Sequence, residues 1–115
     1  MLKVKRVYDE LTEEDGIRIL VDRIWPRNIT KNAAGVDLWM REVAPSHELR
    51  RWFGHDDQKW EEFKQKYYHE LENKSSQIKI IREKLKSGNV TLLFGAKNRN
   101  HNNAVALKEF IEQTE

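Results

Sequence analysis

Val90-Thr91-Leu92-Leu93-Phe94-Gly95-Ala96-Lys97-Asn98-Arg99-Asn100-His101-Asn102-Asn103 is the stretch whose reading decides the fold. Its first five residues are the run of a buried strand. From Gly95 the chain turns polar, and then Ala104, Leu107, Phe110 and Ile111 recur at the spacing of a helix face. A strand that feeds a helix through such a turn is the repeating unit of an α/β sheet. The turn itself lies at the carboxyl edge of that sheet, where ligands usually bind.

Working outward, residues 17–22 form a second apolar run, expected to be a strand buried on both faces and ended by Pro26. Residues 3–8 alternate and carry charge, as an edge strand does. Thr12 can cap one helical turn stopped by Gly16, and residues 37–43 read as a third short strand carrying Trp39. Residues 28–35 read as a polar loop. Ser46 is placed to cap a short helix that Gly54 closes, and Asp56 or Asp57 to cap the next. There Trp60, Phe63, Tyr67 and Leu71 make one apolar stripe. Ser75 or Ser76 starts a further helix with Ile78, Ile81 and Leu85 inward. Strands early and late, with helices between and after, predict an α/β fold: a single small domain over residues 1–115, with a mostly parallel sheet flanked by helices.

Composition narrows the function. A chain of 115 residues suits one domain, and its 38% hydrophobic and 35% charged content implies a modest core under a wet surface. No apolar run approaches the roughly 20 residues of a membrane span, and no charged-then-apolar leader marks the chain for export. A cytoplasmic location is the expectation. Without cysteine, thiolate metal sites, disulfides and cysteine nucleophiles are excluded. No His pair has metal-ligand spacing, and no phosphate loop, GxGxxG or GxSxG occurs, so neither metal nor cofactor is expected. The net charge of +2, from 21 basic and 19 acidic residues, is small for a nucleic-acid binder. Basic charge does concentrate in the first half, at Arg18, Arg23, Arg27, Lys31, Arg41, Arg50 and Arg51.

The turn after the last strand is rich in groups that suit an anion: Lys97 in charge, Asn98 and Asn102 in hydrogen bonds, and His101 in a group that titrates near neutrality. The plainer reading is that Asn100 or Asn102 caps the helix. Val21-Asp22-Arg23-Ile24-Trp25-Pro26-Arg27-Asn28 would reach the same edge if its strand lies beside the last one. Successive strand side chains point to opposite faces, so Asp22 and Arg23 must each find another partner. Asp22 is available to orient His101 or Arg50, and Arg23 or Arg27 to clamp a carboxylate or phosphate. Arg23, deeper in the strand, should be structural, and Arg27 should face the ligand. His55 with Asp56 is a further acid/base couple, unless Asp56 is spent as a cap and His55 packs on a ring.

Three separated motifs, VDRIWPRN, APSHELRRWFGHDDQKWEEF and LLFGAKNRNHNNAVAL, together resemble the YeaO-like proteins, bacterial members of the DUF488 family of unknown function. The resemblance covers essentially the whole chain and implies an α/β fold with a polar cleft, but no reaction. Four positions depart from the family pattern: Asn28 stands for Gly, Asp57 for Pro, Asn98 for Asp and Asn103 for a frequent His. Loss of the acid at 98 favours binding or structure there over catalysis.

The expected function is binding of an anionic small molecule, phosphorylated or nucleotide-like. The candidate ligand-binding residues are Arg23, Arg27, Ser46, Arg50, Lys97, Asn98 and Asn102. If turnover occurs, it is hydrolysis or group transfer by His101 or His55 with Asp22. The alternatives are a nucleic-acid-associated regulator using the basic first half, and a protein-interaction module built on charged helices.

Overall fold

The computed structural model describes residues 1–114. Four strands, β1 (Leu2–Arg6), β2 (Ile17–Leu20), β3 (Leu38–Trp39) and β4 (Val90–Phe94), form one sheet in the order β1-β4-β2-β3. Every pairing is parallel, with Leu92 opposite Val4 on one side and Ile19 on the other. β4 is central and buried throughout, as its unbroken apolar run requires.

Alternation divides the sheet into two faces. Val90, Leu92, Phe94, Ile19 and Val21 enter the main core. It is built with α2 (His47–Phe53), α3 (Trp60–Leu71), α4 (Ser75–Ser87) and α5 (Asn103–Gln113). The α3 stripe of Trp60, Phe63, Tyr67 and Leu71 is buried in it. On the other face Leu20, Leu93 and Val7 meet Ala34, with Trp25, Ile29, Val36 and Trp39 packed around them. Arg18 is buried on that second face at 2% exposure, and so leaves the basic surface expected of the first half.

The elements follow local signals at most places. Ser46 Oγ accepts the Leu49 N–H at 3.1 Å at the start of α2, and Gly54 closes that helix in the left-handed region, with φ 52°. Asp56 caps the 3₁₀ turn Asp57–Lys59 that leads into α3. Four boundaries differ, and the first is β1, which ends at Arg6 rather than at residue 8. The expected loop 28–35 contains a helical turn, α1 (Lys31–Ala34), capped by Thr30 and ended by Gly35 in the left-handed region. The third strand stops after Trp39, whose indole donates to Asp22 O at 2.7 Å, and a 3₁₀ turn, Arg41–Val43, follows. β2 stops at Leu20 rather than at residue 22.

This last difference creates the site. Val21 N–H still donates to Leu93 O at 3.1 Å, so the next rung of a parallel ladder would carry the Gly95 N–H to Val21 O. Side chains intervene instead. Gly95 N–H donates to Asp22 Oδ2 at 2.9 Å, and Val21 O accepts from Asn103 Nδ2 at 2.9 Å. Arg6 donates to Gly95 O and Ala96 O at 3.1 and 2.8 Å. The strands therefore splay apart at their carboxyl ends without orphaning backbone groups.

Candidate functional site: the cleft at the carboxyl edge

Beyond β2 the chain leaves toward the second face, and beyond β4 it leaves toward the main core. Neighbouring strands whose connections part in this way leave a crevice at their carboxyl ends. Here it is a cleft of about 600 Å³. Asp22, at the end of β2, sits in it with Arg23 and Arg27. Arg50 and His55 line it from α2 and the turn after it, and Lys97 and Asn102 from the β4–α5 turn. Ser46, Asn98 and His101 are not among its lining residues.

Each lining group has a definite state. Burial pushes the Asp22 carboxyl above its ordinary value, against the Gly95 N–H, the Asn103 amide and the Arg50 charge, which favour the anion. Arg23 donates to Pro45 O and Ala44 O at 3.3 and 3.2 Å, and Lys74 also reaches Ala44 O at 3.2 Å. Arg23 thus ties the loop before α2 to the end of β2, with carbonyls rather than an acid as its partners. Asn102 is buried, accepting from Val105 N–H and donating to Asn98 O, so its amide is engaged in the cap. Arg27, Arg50 and Lys97 are exposed and make no side-chain hydrogen bond or ion pair among the described residues. His55 is exposed at φ 57°, its ring tilted against Phe53 at 6.2 Å.

The three candidates outside the cleft have other partners. Ser46 donates from Oγ to Glu70 Oε2 at 2.6 Å and from its N–H to Oε1 at 2.8 Å, anchoring α2 to α3. His101 stacks on Trp60 at 4.7 Å, with Nδ1 2.8 Å from Asp57 Oδ1. Asn98 Nδ2 donates to the same Asp57 oxygen at 3.0 Å, and its Oδ1 accepts the His101 N–H at 3.0 Å. Asp57, Asn98 and His101 therefore form one hydrogen-bonded group beside the Trp60 ring.

Residues outside the sequence-derived list of site candidates complete the walls. Tyr8 and Arg6 come from the end of β1, Asn103 from the start of α5, and Phe53 and Phe63 from the main core. Tyr8 donates its hydroxyl to Arg27 O at 2.6 Å, under the Arg6 guanidinium at 4.8 Å from its ring. Arg99 forms a two-pronged pair with Asp9 at 2.8 and 2.7 Å, which holds the Asp9 carboxyl below its usual value. Because β1 is parallel to β4, its end reaches the same edge, and that was the available signal. Among the described residues no three His, Asp or Glu side chains gather into a group able to hold a metal ion. Among the described residues no helix is long and apolar enough to cross a membrane.

Fold and cleft together define a class: a small open α/β protein with a parallel sheet and a polar crevice at its carboxyl edge. Within that class the chain belongs to the DUF488-N3i family, described as the inactive DUF488-N3 subclade, whose model matches residues 1–115. It is 38% identical over 110 residues to "Uncharacterized protein YeaO" of Escherichia coli, covering 96% of each chain. It is also 43% identical over 75 residues to "Uncharacterized protein Mb3100c" of Mycobacterium bovis, covering 65% of this chain and 64% of that one. "Uncharacterized protein Rv3073c" of Mycobacterium tuberculosis matches to the same extent. No solved structure matches the chain.

Proposed function

We propose that the protein binds a small phosphorylated or nucleotide-like anion in the cleft between the ends of β2 and β4. One observation carries this reading: the cleft is lined by five cations, Arg6, Arg23, Arg27, Arg50 and Lys97, against a single carboxylate, Asp22. Two of them hold backbone carbonyls, which leaves Arg27, Arg50 and Lys97 available to an anion. Unpaired cations in a concave, partly apolar site concentrate positive potential where a small anion fits.

Binding without turnover is the form the residues favour. The histidine of the β4–α5 turn is engaged with Asp57 and Trp60, and the histidine on the cleft, His55, has no acid partner among the described residues. The word "inactive" in the family description agrees with this. A nucleic-acid surface is less well supported, since Arg18 is buried against Asp15 and Arg99 is paired with Asp9.

Thermal unfolding with and without inorganic phosphate tests the reading, because a ligand that binds only the folded state raises the melting temperature by mass action. Arg27→Ala and Arg50→Ala should change intrinsic stability by about 0–1 kcal/mol, as exposed charges do, and should remove most of the phosphate-induced rise. Arg23→Ala should cost about 1–3 kcal/mol with or without phosphate, because it strips a donor from two half-buried carbonyls. Full phosphate stabilisation in both Arg27→Ala and Arg50→Ala would end the proposal.

A further inference from the structure

We infer that the occupant of this cleft is a phosphorylated compound that also carries a hydroxyl group, its phosphate held by Arg27, Arg50 and Lys97 and its hydroxyl donating to the Asp22 carboxylate. The inference rests on the anion-binding reading and adds the second half of the ligand.

Asp22 is the reason. An ionised carboxylate offers about four lone-pair positions. The protein occupies one on each oxygen: Gly95 N–H on Oδ2 at 2.9 Å and Asn103 Nδ2 on Oδ1 at 3.1 Å. These two bonds fix the carboxylate and leave it acceptor capacity on the wall of the cleft. Those two bonds account for the carboxylate as a brace of the splayed strand ends, but a phosphate gains nothing from the lone pairs that remain facing the cleft, since like charges repel. A molecule with an anionic group and a separate hydrogen-bond donor uses both kinds of lining.

Charge selects the kind of donor. An ammonium group at Asp22 would enter a cleft whose other charges are all cationic, whereas a neutral hydroxyl escapes that repulsion. Size agrees: about 600 Å³ is far more than one phosphate fills and lies within the range of small-molecule sites. Pro26, Phe53 and Phe63 provide an apolar wall for a carbon skeleton between the two polar ends.

Calorimetric titration of the protein with glycerol 3-phosphate and with propyl phosphate separates the two halves, because the esters share charge and nearly share size but only the first has hydroxyls. Glycerol 3-phosphate should bind at least about tenfold more tightly, as a hydrogen bond to a charged acceptor implies. Asp22→Asn should shrink that preference while both esters still bind through their phosphates. If the variant does not fold, the wild-type comparison alone decides. Equal affinities in the wild type would overturn the inference and leave the anion site standing. Failure of both esters and of inorganic phosphate to bind would overturn the two readings together.

Discussion

Asp15→Ala should lower the stability of the protein by about 3–5 kcal/mol, the usual cost of stranding a buried charge. Asp15 and Arg18 are 3% and 2% exposed, and Arg18 Nη1 donates to Asp15 Oδ2 at 2.7 Å. The rest of the guanidinium is satisfied by Gly35 O and Ala34 O at 3.2 and 2.8 Å, so Arg18 also holds α1 against the sheet. Asp15 in turn takes Lys5 at 3.0 Å and the N–H and hydroxyl of Thr12 at 3.1 and 3.0 Å. Burial alone would raise its carboxyl, but the Thr12 N–H, Lys5 and Arg18 outweigh it and hold the group well below the ordinary carboxylate range. A depressed folded-state value means stability that is present above the unfolded value of about 3.9 and is lost as pH falls toward the folded one. Chemical unfolding of wild type and variant across acid pH checks both points. The gap between them should be full near neutrality and narrow below about pH 4. A gap under about 1 kcal/mol at neutral pH, the size of an exposed pair, would contradict the buried-network account.

Trp60→Ala is expected to be as damaging, at about 3–5 kcal/mol, which is a large share of the 5–15 kcal/mol that typically holds a domain folded. Trp60 is 7% exposed and stacks with Phe63 at 5.7 Å, with Phe53 at 6.1 Å beside it. The His101 ring also stacks on it at 4.7 Å, which anchors the β4–α5 turn to α3. Truncation therefore opens a void in the main core and removes a support of the cleft wall. Trp60→Phe, which keeps an aromatic platform, should recover much of the loss. Denaturant unfolding of the two variants measures this, and a change below about 1 kcal/mol for alanine would show that the ring is not packed as described.

What could be read from the chain follows the range of the interactions. The α3 stripe, the Ser46 cap with Gly54, and the apolar run of β4 are local patterns, and each appears where its period or turn residue places it. The α1 turn was hidden because four residues are too few to show a helical period, although Thr30 and Gly35 are its cap and stop. The end of β2 was hidden for a different reason. Residues 17–22 have a strand's composition, and it is long-range bonds from Gly95, Asn103 and Trp39 to Val21 and Asp22 that replace the last rungs of the ladder. The same limit applies to the site. That Asp22 and Lys97 share an edge follows from two strands ending side by side. That Ser46 bonds Glu70 and His101 bonds Asp57 depends on how helices pack, which no local pattern records. Arg23 is bound to two carbonyls, whereas the exposed Arg27 guanidinium has no hydrogen-bond partner among the described residues, a difference that likewise depends on tertiary packing.

An anion bound at the splayed carboxyl edge of the sheet must perturb the signals of that edge when nitrogen-15-labelled protein is titrated with inorganic phosphate. Saturable shifts are expected at the Gly95, Ala96 and Lys97 amides and at the Arg27 and Arg50 side chains, weakened in Arg27→Ala. Phosphate that leaves these signals unmoved, or moves only those around the shallow groove of Ile80 and Lys84 on α4, would contradict binding at that edge.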